Sequence, residues 1–244
     1  MLESIKRLLA RVTRHAEGDA IAGWARRAGH VHKREKDGDG FAIDGQFDGK
    51  PWRLEWGRPQ RAYIEGHELR MRMVLDIPPD LQMLLMTKPL RERLAKDAFE
   101  QATQTNQTSH DDTIGEETRW LVVFPRLSLS GSQILRNCFG GVSSLPHEGQ
   151  AWLEGPLSHG LERAAASWLN AQPPFLLMTL RGRIYLRLQL ASADEQDIAA
   201  AVTLFAIAAA SARRVARARG DEPVSWSAST TSAWQSLPPA KDHR

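Results

Sequence analysis

Residues 52–75 read WRLEWGRPQRAYIEGHELRMRMVL. Trp52, Leu54 and Trp56 occupy one phase of a two-residue period, with Arg53 and Glu55 on the other. Leu69, Met71, Met73 and Leu75 repeat that pattern against Arg70, Arg72 and Val74. Successive side chains of a strand point to opposite faces, so each stretch reads as an antiparallel strand with one buried and one polar face. Turn residues stand nearby. Asp37-Gly38-Asp39-Gly40 and Asp48-Gly49 separate apolar-rich stretches upstream, and Pro78-Pro79 stops the chain downstream. The combination predicts a β-meander beginning at His30.

Working outward, Leu2, Ile5, Leu8, Leu9 and Val12 recur at helical spacing, with Lys6, Arg7, Arg11 and Arg14 between them. This pattern predicts an amphipathic helix over residues 2–15, whose apolar stripe needs a cover from the rest of the chain or from a second copy. Asp19 is placed to cap a second helix running to Ala28, with Gly29 to end it. On the other side, Leu81–Met86 offers a strand and Pro89–Phe99 a helix. Residues 101–118, QATQTNQTSHDDTIGEET, contain almost nothing for a core. Trp120–Phe124, apolar on both phases, and the alternating Leu127 and Leu129 then predict a further strand. A glycine-containing loop that includes Phe139–Ser144 leads to a helix near Leu157–Leu169, followed by a hairpin of Phe175–Leu180 and Ile184–Leu190 about Arg181-Gly182, and a long helix over Asp194–Arg217 ended by Gly220.

The expected class is α+β, with antiparallel sheet covered by helices. The expected organisation is an N-terminal α+β subdomain over residues 1–104, a polar linker or loop over 105–118, a C-terminal α+β subdomain over 119–219 and a polar tail over 220–244. Both halves run from helix through antiparallel strands to a closing helix, so two similar subdomains are one expectation, although no repeat is visible residue by residue. Trp226 and Trp234 predict that part of the tail folds back onto the body.

Composition sets limits on function. The 244 residues are 42% hydrophobic and 25% charged with a net charge of +3, values that exclude collagen-like, low-complexity and wholly disordered chains. That small net charge conceals an imbalance, because the 32 basic residues divide into 25 Arg and 7 Lys. A single cysteine, Cys138, excludes an intrachain disulfide, and the charged start lacks a secretory pattern; a cytoplasmic location is expected. The uncharged run Ile198–Ala212 is short for a membrane span and reads as a buried helix.

Catalytic signatures are missing from the sequence: there is no Gly-x-Ser-x-Gly elbow, phosphate loop, dinucleotide fingerprint, His-Glu-x-x-His or paired-cysteine motif. His30, His32 and Glu35 resemble the His-x-His plus Glu metal motif of cupins, but the spacing is short and no second motif follows. Glu35 also falls on the opposite strand phase from His32. Asp37, Asp39, Asp44 and Asp48 fail the EF-hand spacing, since Phe41 and Ala42 stand where a ligand and a glycine are required. No metal and no cofactor is expected. Cys138 and His147, nine residues apart, complete the candidates for an enzyme with a dispersed site.

One constellation rests on strand parity. Arg53, Arg70, Arg72, Arg126, Arg183 and Arg187 all lie on polar phases of predicted strands, and Tyr185 falls between two of them. If those strands share a sheet, one face is arginine-rich and suits a carboxylate, a phosphate-bearing ligand or an acidic protein segment. Nucleic acid fits poorly, because the face lacks several aromatics for base stacking. The leading expectation is a non-enzymatic binding or interaction module that takes a protein partner or a small anionic ligand. The alternatives are the dispersed-site enzyme and a peripheral membrane protein anchored by helix 2–15.

Overall fold

The computed structural model describes residues 18–35, 40–104, 115–129 and 131–220. The expected helix 2–15, the turn at Asp37 to Asp39 and the tail with Trp226 and Trp234 lie outside the described residues. The α+β class is as expected: eight strands form one antiparallel sheet in the order β1-β2-β3-β4-β8-β7-β5-β6. The strands are β1 (Val31–Arg34), β2 (Phe41–Phe47), β3 (Lys50–Gly57), β4 (Glu68–Val74), β5 (Met83–Thr87), β6 (Phe139–Ser143), β7 (Phe175–Leu180) and β8 (Arg183–Gln189). The helices are α1 (18–27), α2 (Lys88–Gln104), α3 (Glu116–Val123), α4 (Gln133–Cys138), α5 (Pro146–Leu153), α6 (Pro156–Ala165) and α7 (Glu195–Ala218).

Local chemistry sets the element ends. Asp48 and Gly49 take φ values of 49° and 74°, and Arg181 and Gly182 take 51° and 72°, so both two-residue hairpins have the left-handed turn that matches the twist of their strands. Asp194 caps α7, its carboxylate accepting from the Gln196 N–H at 2.6 Å. Gly29, at φ 74°, ends α1.

The first four strands form the predicted meander, and β4 then pairs with β8 rather than with its sequence neighbour. The sheet does not divide at residues 105–118: β5, which precedes them, lies between β7 and β6, which follow. One face of the sheet is apolar from β2 across to β5. A single cross-strand row runs Ile43, Leu54, Met71, Leu186, Leu177 and Leu85, each nearly inaccessible. Ile21 of α1, Trp152 of α5, Leu157 and Leu161 of α6 and Phe205 of α7 bury the same face. Full burial of each such side chain is worth about 1.5–3 kcal/mol, and the Trp152 indole also donates to the Ala208 carbonyl at 3.0 Å, joining α5 to α7. Among the described residues α7 is the one helix long and apolar enough to cross a membrane. Ile198, Ala201, Phe205, Ala208 and Ala212 put one side of it in this core.

Two local readings are corrected. Trp120–Phe124 is not a strand: Glu116–Val123 is the helix α3. Glu117 and Trp120 are buried while Val122 and Val123 are exposed, so the burial follows helical spacing and the paired valines contribute nothing to a core. Conversely, the Phe139–Ser143 stretch FGGVS, expected as a loop, is the fully buried edge strand β6. A Cβ on Gly141 would come 2.7 Å from the Leu84 carbonyl, so the glycine permits a close approach to β5.

Candidate binding face

The second face of the sheet changes character across its width. A row from β1 to β6 reads Val31, Asp44, Arg53, Arg72, Tyr185, Met178, Leu84 and Val142. The parallel row two residues along reads Lys33, Ala42, Glu55, Arg70, Arg187, Leu176, Met86 and Gly140. Over β7, β5 and β6 the row residues are apolar, and Leu90 and Leu94 of α2 and Trp120 of α3 cover them. Over β3, β4 and β8 they are charged apart from Tyr185.

Five of the six arginines read from strand parity therefore share one face, and Tyr185 stands among them. Arg53, Arg70, Arg72 and Arg187 fill adjacent row positions, and Arg183 faces Val74 one pair beyond the row of Tyr185 and Arg72. Arg126 is elsewhere. It forms an isolated bridge to Val142 of β6, at the other edge of the sheet. Its assignment came from the alternation of Leu127 and Leu129, but beyond that isolated bridge residues 125–129 form no strand.

The five arginines are not equivalent. Arg53 donates through Nε to Glu55 at 2.7 Å and through Nη1 to Asp44 at 3.0 Å, and Asp44 also accepts from Lys33 at 3.0 Å. Arg70 reaches Glu55 at 3.3 Å, Glu68 at 3.4 Å and the Arg58 carbonyl at 2.8 Å. Glu68 is wholly buried. Its carboxylate also takes a hydrogen bond from Arg187 and one from the Gln60 N–H at 2.6 Å. Arg72 and Arg183 are exposed, and among the described residues neither has a hydrogen bond or ion pair. Arg70 Nε is a further buried donor without a partner.

Titration reflects this arrangement. Burial would raise the Asp44 and Glu55 carboxyls, but hydrogen bonds and charges from Lys33 and Arg53 hold Asp44 below the ordinary value, and Arg53, Arg70 and Arg72 do the same for Glu55. Arg72 therefore acts on Glu55 through its field without bonding to it. The Arg53 guanidinium is raised, chiefly by its bond to Glu55.

A cavity of about 790 Å³ opens at the end of this face, with Arg53, Arg72 and Arg183 on its charged side and Trp52 and Met73 among its apolar walls. Gly45 supports its floor. The Trp52 ring lies across the cross-strand glycine, where a Cβ would meet it at 2.3 Å. His30 packs edge-on to both Trp24 and Trp52, with centroids at 5.6 and 4.8 Å, and burial lowers its imidazole below the ordinary value.

The other candidates do not assemble. His32 lies against Phe41, with its Nε2 buried and unpartnered, and Glu35 joins the loop to Gly40 through its backbone. Cys138 ends α4 and His147 is exposed on α5, with no hydrogen bond between them. Among the described residues no three His, Cys, Asp or Glu side chains cluster as metal ligands. The sequence reading missed the part played by Asp44, read earlier only as a turn and calcium candidate; its register opposite Arg53 was the recoverable signal.

No family model matches this chain, and no curated protein is similar to it. Among solved structures, the mycobacterial trehalose monomycolate transport factor A, TtfA, superposes with a TM-score of 0.42 at 9% identity, over 82% of this chain and 94% of that one.

Proposed function

We propose that this chain is a non-enzymatic binding protein whose open sheet face takes an acidic segment of a partner protein. The observation that carries the reading is the pair Arg72 and Arg183, exposed beside Tyr185 and unpaired among the described residues, within a face whose other arginines already have carboxylate partners. The paired arginines and their acids act as a frame. Arg53, Arg70 and Arg187 are held in place by Asp44, Glu55 and Glu68, leaving the two free guanidinium groups to form forked hydrogen bonds to carboxylates. A partly exposed surface spanning β3, β4 and β8, with Arg72 and Arg183 at its exposed positions, suits an extended or helical segment better than an enclosed metabolite. Its single half-buried cysteine is compatible with a cytoplasmic setting.

Fluorescence anisotropy with a labelled oligo-glutamate peptide tests this. Each of Arg72→Glu and Arg183→Glu should weaken binding about tenfold, about 1.4 kcal/mol apiece, and affinity should fall as salt rises. Unchanged affinity in the double variant would remove the proposal. Competition by inorganic phosphate at equal potency would replace the peptide with a small anion.

A further inference from the structure

A cleft of about 1210 Å³ lies apart from the arginine face. It opens where β4 runs out and α7 ends, between the segment after Val74, the β7–β8 turn and the last turn of α7. Leu75, Ile77, Pro78, Phe124 and Leu145 give it apolar walls. Lys50, Arg181, Arg213, Arg217 and Arg219 also line it, with the carboxylates of Asp76 and Asp80.

Cations near the end of α7 are favoured by the negative pole of that helix, which accounts for Arg217 and Arg219 without any ligand. It does not account for Lys50 and Arg181, which come from two separate hairpin turns and converge on the same space. Nor does pairing use up the charge. Lys50 bonds to Asp76, Arg181 pairs with Glu116 at 3.7 Å, Arg213 with Asp48 at 2.8 Å and Arg219 with Asp80 at 2.9 Å and Glu148 at 4.0 Å, while Arg217 has no ion pair among the described residues. Arg219 is largely buried, and among the described residues its Nη1 has no hydrogen-bond partner. A buried guanidinium N–H without an acceptor is a donor available to an oxyanion. The volume is at or above the roughly 300–1,000 Å³ typical of sites that enclose a small molecule.

We infer that this cleft binds an amphipathic anion: an apolar chain terminated by a carboxylate or a phosphate. The chain lies against Leu75, Ile77 and Phe124, and the head group meets Arg217 and Arg219. None of these residues belongs to the arginine face, so either site can fail without the other.

Isothermal titration of the full 244-residue chain with dodecyl phosphate, below its micelle concentration, tests the inference. The full chain is used because residues 221–244 follow directly on Gly220, which lines the cleft. Parallel titrations use dodecanoate, dodecanol and inorganic phosphate. Saturable one-to-one binding of dodecyl phosphate or dodecanoate is expected, and the stronger of the two identifies the head group. Dodecanol and inorganic phosphate should each bind at least tenfold more weakly. Ala216→Trp, which places a large ring in the cleft, should abolish binding. Arg217→Glu, at an exposed position that leaves the fold intact, should weaken it about tenfold. The inference is overturned if neither charged amphiphile gives a saturable signal, if dodecanol binds as well as they do, or if Arg217→Glu leaves affinity unchanged.

Discussion

On its second face the same sheet carries two different surfaces. Over β7, β5 and β6 it is Leu, Met and Val beneath α2 and α3; over β3, β4 and β8 it is Arg, Glu and Tyr, with no helix above among the described residues. The boundary falls between neighbouring strands, where Leu176 pairs with Arg187 and Met178 with Tyr185. Backbone geometry is the same on both sides, so the side chains alone decide where a helix docks. An uncovered face is the ordinary condition of an antiparallel sheet. What distinguishes this one is that its charges are sorted into a paired set and an unpaired set.

The largest effect should come from moving the boundary. Leu176→Arg extends the arginine row beneath α2 and places an unpaired charge in a closed apolar layer, at a cost of about 4 kcal/mol or more. Urea unfolding should show little native protein; a loss under 1 kcal/mol would mean that α2 and α3 do not seal that layer. Next in size is Arg187→Leu, which extends the apolar surface the other way. It leaves the buried Glu68 carboxylate with Arg70 and Gln60 alone, and should destabilise by about 3 kcal/mol despite the gain in hydrophobicity. A stabilised variant would show that Glu68 does not need its second arginine.

A smaller effect concerns how the cover is fastened. Glu117 of α3 is buried and accepts from Arg61 at 2.7 Å and from the Tyr63 hydroxyl at 2.9 Å. Burial would raise its carboxyl, but Arg61 outweighs that effect and holds it below the ordinary value, while burial and Glu117 raise the Tyr63 phenol. A carboxyl lowered by folding contributes stability above its unfolded pKa, and loses it as pH falls through the folded one. Wild-type protein should therefore lose stability below about pH 4.3, and Glu117→Gln should lose less over the same interval. At pH 7 that variant should already be weaker by about 1–2 kcal/mol. Parallel acid profiles of the two proteins would refute the assignment. The smallest effects belong to the unpaired set: Arg72→Ala and Arg183→Ala should each change stability by no more than about 0.5 kcal/mol, while reducing binding of the acidic peptide.

The contrast also explains what the sequence disclosed. Meander strands were legible because Trp, Leu and Met alternate with Arg and Glu at a strict period of two, and that same parity placed Arg53, Arg70, Arg72, Arg183, Arg187 and Tyr185 on one face. Strand β6 was illegible, because Gly140 and Gly141 carry no side chain to report a phase and their reason for being glycine lies in another strand. Helix α3 was misread because Val122 and Val123 are apolar yet exposed. The partition of arginines into paired and free depends on registers such as Asp44 with Arg53, which no single strand reveals. The cleft was out of reach altogether, being built from turn residues and a helix end that share no period.

The pairing of β4 with β8 governs the order in which the molecule can be completed. Met71 finds its partner Leu186 only after more than a hundred further residues have been synthesised. Until then the growing chain has β1 to β4 with a free edge, and half of the arginine face is missing because Arg183, Tyr185 and Arg187 have not emerged. Such open edges are sites of faulty pairing. A nascent chain or a fragment ending before β8 would carry Arg53, Arg70 and Arg72 without the strand that completes their surface. Recognition at this face would therefore report that β8 has emerged and paired with β4.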